Sequence, residues 1–306
     1  MNVREWALPV YTILMQLAVG SLGILLAIRL VFSRRYGDAE VERLMRNPVA
    51  VILLTVAAAM LGSFFHLSRP YMAFVAIFNF TSSWLSREIL FTVAMFFCIA
   101  SLWYLQANVE NHMRLKTWLG WGGFCFGLGA VFCMSRIYIL PTQASWDNAY
   151  TTTSFYLSMV VLGSAASLIM LIVDLRFSEI QAVHTVGARP EIIRQAMKGI
   201  AAVAVAGAIA IPLLYVYLFN CLQHGDVTAQ ASLQLYLGLY RPLLIFRMVM
   251  LLTGTSWMVI SVVQTWRNKI SLTQLGVHSY MACLFLLIGE ILGRFLFYAT
   301  HIRLGI

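Results

Sequence analysis

The amino-acid sequence predicts an all-α integral membrane protein, a bundle of eight transmembrane helices with both termini outside the cytoplasm. Of the 306 residues, 61% are hydrophobic and only 11% are charged, whereas an ordinary soluble domain has about 25% charged residues. Several apolar runs reach the roughly 20 residues that a helix needs to cross the hydrocarbon layer. The strand-period alternation that an outer-membrane barrel needs is absent from the sequence.

Uninterrupted apolar stretches predict the positions of the spans. They lie at about 8–32, 48–65, 86–106, 117–140, 153–175, 197–221, 243–266 and 279–299. Pro48 is expected to open the second span, where its missing N–H does no harm, and Pro212 to kink the sixth. The first apolar run is too long for the h-region of a cleaved signal, about 7–15 residues, and is therefore expected to be a permanent span. We expect a single membrane domain over residues 1–306.

Lysine and arginine residues are divided unequally between the two predicted sides of the membrane. Twelve lie in the loops that follow spans 1, 3, 5 and 7, whereas four lie on the other side. Because cytoplasmic loops carry the excess of positive charge, both termini are expected in the periplasm and the protein in the inner, cytoplasmic membrane. The net charge of +9 therefore reflects topology and does not indicate nucleic-acid binding.

Neither the cysteines nor the histidines are spaced in the sequence as the ligands of a metal, a haem or an iron–sulfur cluster. No two of the five cysteines form a C-x-x-C pair, so we expect them to pack as small apolar residues, with no disulfide framework and no iron–sulfur cluster held by this protein. A bis-histidine haem needs two histidines at matching depth on facing helices. The six histidines lie in predicted loops or at span edges. We therefore expect neither haem nor another metal site.

One segment, between spans 2 and 3, concentrates titratable side chains. It contains His66, Arg69, Trp84, Arg87 and Glu88 at the predicted outer edge of the membrane. Oxidation of a hydroquinone releases two protons, so its hydroxyls need acceptors such as a histidine or a carboxylate. Its flat ring packs well between apolar and aromatic walls. These residue types together therefore suit a quinol.

Each of these residues also has a structural interpretation. His66 can bond a helix-end carbonyl, Glu88 in a first helical turn is favoured by the helix macrodipole, and the arginines can pair with Glu88. Possible secondary partners of a quinol, which are equally suited to bonds between helices, are Gln16, Asn79 and Arg136.

Span 8 carries a second pair of charged residues. Glu290 and Arg294 are four residues apart, which predicts an i,i+4 ion pair that lowers the cost of inserting both charges. Arg294 is expected toward the outer side, where it could also approach the quinol pocket.

The stretch from residue 66 to residue 90 resembles the membrane-anchor subunits of the dimethyl sulfoxide reductase complex. Their loop after the second span has the pattern H-L-G-x-P, then an asparagine, then S-W-L-S-R-E-I. Here residues 66–70, Asn79 and residues 83–89 match that pattern, except that Ser68 replaces the common glycine. The segment 289–298 is similar to the family's last span, and the length and number of spans agree over the whole sequence.

The resemblance implies that the protein binds and oxidises menaquinol near the outer face, without haem. It implies two periplasmic partners, a ferredoxin-like subunit with four [4Fe–4S] clusters and a catalytic subunit with molybdopterin. His66 then corresponds to the family's quinol-linked histidine and Glu88 to the acidic position after it. Roles for Arg69 and Arg87 rest on charge alone.

Other functions stay open at this point. An anchor of a polysulfide or nitrite reductase shares the eight-span bundle and the use of quinone. A secondary transporter would show interrupted spans at matching positions of two halves, and Pro212 has no counterpart in the first half. A purely structural tether is the fourth possibility. Whether the protein is itself an enzyme is also open, because the terminal substrate chemistry would belong to a partner.

Overall fold

The computed structural model describes residues 3–66, 79–109, 111–180, 189–267 and 272–302. Within these ranges it contains nine helices. They are α1 (Val3–Tyr36), α2 (Asp38–His66), α3 (Trp84–Asn108), α4 (Met113–Tyr138), α5 (Ala149–Ile180), α6 (Arg189–Gln223), α7 (Val227–Leu237), α8 (Arg241–Trp266) and α9 (Leu272–Ala299). All except α7 are long and apolar enough to cross a membrane, which confirms the eight predicted spans.

Helices α1 and α5 form the centre of the bundle. In their most apolar windows 61% and 72% of the residues are buried, whereas the share is 28% in α2, α3 and α8. Helix α1 packs against α2, α4 and α5, and α5 packs against α6 and α9 as well. The outer helices keep an apolar face that lipid would cover, because a bilayer solvates apolar side chains as well as a protein interior does.

Helix α2 begins ten residues earlier than the sequence predicted. Pro48 lies inside the helix, which starts at Asp38 instead. The additional turns are amphipathic, and their buried side chains are Val41, Leu44 and Met45. Charged residues between these apolar positions lower the average hydropathy, so a search for uninterrupted apolar runs does not find this part of the helix. Pro212 lies within α6, as predicted.

The connection between spans 6 and 7, predicted as a loop, contains the short helix α7. Asp226 caps it, since its carboxylate accepts a hydrogen bond from the Ala229 backbone N–H at 2.8 Å. This bond, together with one from the Thr228 hydroxyl, lowers the pKa of Asp226. Tyr236 packs its ring against Tyr215 of α6 and is fully buried, which holds α7 against the bundle.

The start of α1 and the end of α9 lie at the same end of the bundle, which we call the termini end. Leu8 near the start of α1, Ser63 near the end of α2, Leu85 at the start of α3 and Tyr138 at the end of α4 line one cavity there. Tyr298, near the end of α9, lines an apolar groove together with the first turns of α1. That this end faces the periplasm stays a prediction from the distribution of lysine and arginine.

Candidate functional site

A cavity of about 160 Å³ lies among α1, α2, α3 and α4 at the termini end. Its lining consists of Leu8, Tyr11, Thr12, Ser63, Leu85, Glu88, Ile89, Met134, Ile137 and Tyr138. Apolar side chains make up most of the described wall, and Glu88 is the one charged residue among the described lining residues. Such a mostly apolar pocket with few convergent polar groups is typical of a site for a small organic ligand.

Glu88 is placed in the cavity by the start of α3. Ser83 caps this helix, because its hydroxyl oxygen accepts a hydrogen bond from the Ser86 N–H at 3.3 Å. The predicted span boundary had placed Glu88 in the first helical turn. Because the helix begins at Trp84, Glu88 instead falls in the second turn. Its side chain is only 4% exposed. Stabilisation by the macrodipole fades after the first turn, so this dipole does not by itself account for the buried carboxylate.

The polar neighbours of Glu88 come from α1. The Tyr11 hydroxyl lies beside the Glu88 carboxylate and 3.1 Å from the Thr92 hydroxyl. Thr12 and Ser63 instead donate their hydroxyl protons to backbone carbonyls of their own helices, at 2.9 and 2.7 Å. Among the described residues no lysine or arginine forms an ion pair with Glu88. The carboxylate therefore has acceptor capacity left for a ligand in the cavity.

Tyr138 forms the wall of the cavity toward α9. Its hydroxyl lies 2.5 Å from the hydroxyl of Tyr298. Both rings belong to a packed aromatic cluster at the termini end, whose further members are Trp146, Phe155 and Phe297. The cluster makes this wall rigid, because aromatic side chains have few rotatable bonds and pack edge to face.

Trp84 and Arg87, both predicted to bind the cofactor, do not line the cavity. Arg87 donates hydrogen bonds to the carbonyls of Phe80 and Thr81, at 2.7 and 2.6 Å. Its guanidinium also lies 4.3 Å from the Trp84 ring centroid, and that of Arg136 lies 5.4 Å from the same ring. Trp84 and Arg87 therefore hold the backbone where it enters α3. Sequence reasoning did not assign this positioning role to them.

Arg294 does not reach the cavity and does not pair with Glu290. It donates a hydrogen bond to Gln16 at 3.0 Å and lies over the Phe155 ring at 4.0 Å. The predicted i,i+4 ion pair is therefore wrong. Helix α9 is in contact with both α1 and α5, and those neighbours supply Arg294 with better partners than its own helix does.

Glu290 takes its partners from two other helices. Its carboxylate accepts a hydrogen bond from Ser158 at 2.5 Å and lies 3.7 Å from the guanidinium of Arg247. Arg247 in turn donates to the hydroxyl of Tyr215. This buried cluster lies apart from the cavity, and neither Tyr215 nor Ser158 was singled out from the sequence.

The two remaining predicted site residues fall at or beyond the end of α2. Helix α2 ends at His66, whose side chain lies outside the described residues, as does the whole of Arg69. Ser63, one turn before His66, lines the cavity. The end of α2 therefore borders the same cavity that contains Glu88.

Sequence reasoning missed the tyrosines of the cavity. Tyr11 and Tyr138 lie inside apolar runs, where a tyrosine is as compatible with lipid contact as with a site. The one available signal is that a buried phenol needs a hydrogen-bond partner, and that partner comes from a distant part of the sequence.

Comparison with known proteins gives a consistent result. Residues 1–300 match the family described as "DMSO reductase anchor subunit (DmsC)". The protein is 28% identical over 306 residues to the anaerobic dimethyl sulfoxide reductase subunit YnfH of Escherichia coli, covering 99% of this sequence and 96% of that one. The C subunit of an anaerobic dimethyl sulfoxide reductase from the same organism is 24% identical over 311 residues, with the same coverage. The C subunit from Haemophilus influenzae is 29% identical over 180 residues, covering 56% of this sequence and 61% of that one.

Proposed function

Because the protein belongs to the family of DMSO reductase anchor subunits, we propose that it anchors an iron–sulfur subunit and a catalytic subunit to the membrane and oxidises menaquinol. The proposed quinol site is the cavity at the termini end. The family match favours this function over the polysulfide- or nitrite-reductase type of anchor. It also supports multi-pass insertion, for which the eight apolar helices are long enough.

The observation that carries the proposal is the buried carboxylate of Glu88 in a mostly apolar cavity. Burying a charge without a charged partner is costly, and such residues inside a membrane are usually functional. A hydroquinone fits this lining, since its ring would pack against Leu85, Ile89 and Met134 while a hydroxyl approaches the carboxylate. When bound, menaquinol would supply two electrons and two protons.

In this proposal Glu88 accepts a proton at a carboxylate oxygen. Tyr11 orients the carboxylate from one side, and its own position is set by the bond to Thr92. Tyr138 closes the opposite wall and keeps water out. We propose that the second proton passes to His66, the residue at the end of α2 that the resemblance links to quinol. Both protons would then leave at the termini end, which the charge distribution predicts to be periplasmic.

The termini end also offers a surface for the partner subunits. Helix α7 does not span the membrane, yet Val227 is 82% exposed and Leu239, just beyond the helix, is 71% exposed. Exposed apolar residues outside the spans suit a protein–protein contact. We propose that a ferredoxin-like subunit with four [4Fe–4S] clusters docks here, bringing one cluster near the cavity, and that the molybdopterin subunit binds to it in turn.

The experiment that tests the function compares Glu88→Gln with the wild type in the assembled complex. The readout is the stopped-flow rate of oxidation of a menaquinol analogue. Glutamine keeps the shape of glutamate but takes up no proton. A positioned acid or base contributes about 10²- to 10⁴-fold, so we expect the rate to fall by about a hundredfold or more. His66→Leu is expected to have a comparable effect.

Asp147→Asn is the matched control, because Asp147 is an exposed carboxylate at the same end and does not line the cavity. An artificial donor that reduces the catalytic subunit directly should still support turnover in every variant. Quinol oxidation by Glu88→Gln at the rate of Asp147→Asn would show that Glu88 is structural, and the proposed site would be wrong.

A further inference from the structure

A second pocket, of about 450 Å³, lies at the opposite end of the bundle and has a different character. The start of α2, the end of α3 and the start of α4 enclose it. The lining residues that bear on its chemistry are Glu42, Arg43, Arg46, Gln106, Val109 and Lys116. This pocket is more polar than the cavity around Glu88, and its described lining has three cationic side chains against one acidic one.

Two of the four charged side chains neutralise each other. Lys116 is 1% exposed and donates hydrogen bonds to the carboxylate of Glu42 and, at 2.6 Å, to the carbonyl of Val109. Arg43 is exposed and bonds Glu40 of its own helix at 3.3 Å. Arg46 has no acidic partner among the described residues. The pocket therefore has an excess of positive charge, with Arg46 available to an anion.

Gln106 provides an independent indication of a ligand. Its side chain is 8% exposed, and neither its amide nitrogen nor its amide oxygen has a hydrogen-bond partner within the described part of the protein. A buried polar group without a partner costs free energy, and buried amides in proteins are almost always bonded. A ligand that satisfies Gln106 must both accept a hydrogen bond from the amide nitrogen and donate one to the oxygen.

The location of the pocket indicates the source of that ligand. It lies where α3 ends, at Asn108, and where α4 begins, at Met113, which is the depth of the lipid headgroups for two spanning helices. The same two helices also form a mainly apolar groove of about 500 Å³, nearer the middle of the spans. Because α3 and α4 line both the pocket and the groove, acyl tails and a headgroup would each find a complementary surface on this helix pair.

We propose that this pocket binds the headgroup of an anionic phospholipid that carries hydroxyl groups, as phosphatidylglycerol does. The phosphodiester accepts hydrogen bonds from Arg46 and from the Gln106 amide nitrogen, and a headgroup hydroxyl donates to the Gln106 oxygen. Basic pockets between transmembrane helices are typical binding sites for anionic headgroups. The lipid would stabilise the junction of α2, α3 and α4, independently of any reaction at Glu88.

The test titrates the full-length protein, purified in detergent and stripped of lipid, with dioleoyl phosphatidylglycerol, dioleoyl phosphatidylethanolamine or glycerol 1-phosphate. Native mass spectrometry reports the bound fraction. We expect one phosphatidylglycerol to bind at least about tenfold more tightly than phosphatidylethanolamine. Arg46→Gln and Gln106→Leu should each weaken binding by about tenfold. Arg46→Gln removes a charge-assisted hydrogen bond to the phosphodiester, and Gln106→Leu removes the hydrogen bonds of the amide to the headgroup.

Arg114→Gln is the matched control, because Arg114 is an exposed arginine in the first turn of α4 that does not line the pocket. A thermal melt provides the second readout: at one lipid concentration, phosphatidylglycerol should raise the melting temperature of the wild type and of Arg114→Gln more than that of Gln106→Leu. Without lipid, Gln106→Leu should melt no lower than the wild type, because it removes an unpaired buried amide.

Three results would each overturn the inference. Equal affinity for phosphatidylethanolamine would mean that the pocket does not select anionic headgroups. Displacement of the lipid by an equal concentration of glycerol 1-phosphate would identify a site for soluble phosphate esters instead. Unchanged binding in Arg46→Gln and Gln106→Leu would place the lipid outside this pocket, and an equal loss in Arg114→Gln would assign its binding to general surface charge.

Discussion

Gly20 of α1 and Gly163 of α5 bring the two central helices into direct backbone contact. A Cβ atom added at Gly20 would lie 2.9 Å from the Cα of Gly163 and would overlap the carbonyl oxygen of Met159. In a bilayer, helices associate through close packing rather than through the hydrophobic effect, so small residues at such a crossing are particularly valuable. This contact joins the first four spans to the last four.

Replacing this glycine with alanine is expected to destabilise the bundle. Gly20→Ala forces α1 and α5 apart, at a cost of about 1–3 kcal/mol in the free energy of unfolding, which exceeds the gain in helix propensity of about 1 kcal/mol. Gly199→Ala in α6 is the control, because nothing lies within 4 Å of a Cβ there. The melting temperatures in detergent should shift in opposite directions, and a similar shift in both variants would argue against the close crossing.

The guanidinium of Arg247 lies against Gly293, in the space that a side chain at that position would occupy. Gly293→Ala should therefore displace Arg247 from Tyr215 and Glu290. Arg247→Met, which leaves the Glu290 carboxylate buried without its cation, should cost about 3–5 kcal/mol.

The double variant Arg247→Met/Gly293→Ala tests whether the two effects share one cause. Once Arg247 is gone, the added methyl group of Gly293→Ala displaces nothing charged, so the two losses in unfolding free energy should not add. Denaturant unfolding in mixed micelles measures all three variants. Strict additivity would show that Gly293 matters for another reason.

The hydroxyl pair of Tyr138 and Tyr298 should show the same kind of coupling. Each single change to phenylalanine leaves one buried hydroxyl without its partner, which costs about 1–3 kcal/mol, whereas the double change removes both polar groups and should be nearly neutral. The measurement is a double-mutant cycle on the unfolding free energy. A double variant as unstable as the sum of the single ones would contradict a direct hydrogen bond.

The exposed residues around α7 are expected to bind the iron–sulfur subunit. Val227→Glu/Leu239→Glu should abolish co-purification of that subunit, because it introduces charge into a surface that would otherwise be desolvated. Val227→Ile/Leu239→Met keeps this surface apolar and uncharged, and it should retain the partner. If Val227→Glu/Leu239→Glu retains the subunit as well, the partner must dock elsewhere.

Of the described residues predicted to form the site, Glu88 lines the cavity, whereas Trp84, Arg87 and Arg294 do not. Glu88 was identified from the sequence because a carboxylate at the edge of an apolar run stands out against its neighbours. Arg87, Trp84 and Arg294 stood out for the same reason, yet their partners are loop carbonyls, an aromatic ring and Gln16. Charge and sequence proximity place such residues near one another but do not determine which way each side chain points on its helix.

By itself the sequence determined that this is an eight-span helical membrane protein, since hydropathy and helix length are properties of contiguous segments. Tertiary structure alone decided which polar groups share a cavity. Tyr11, Glu88 and Tyr138 come from three helices, and they meet because α1, α3 and α4 pack together. The tertiary structure also decided that Glu290 pairs with Arg247 and not with Arg294. Inside a bilayer, a buried charge is stabilised by the neighbouring helix that brings a complementary group closest.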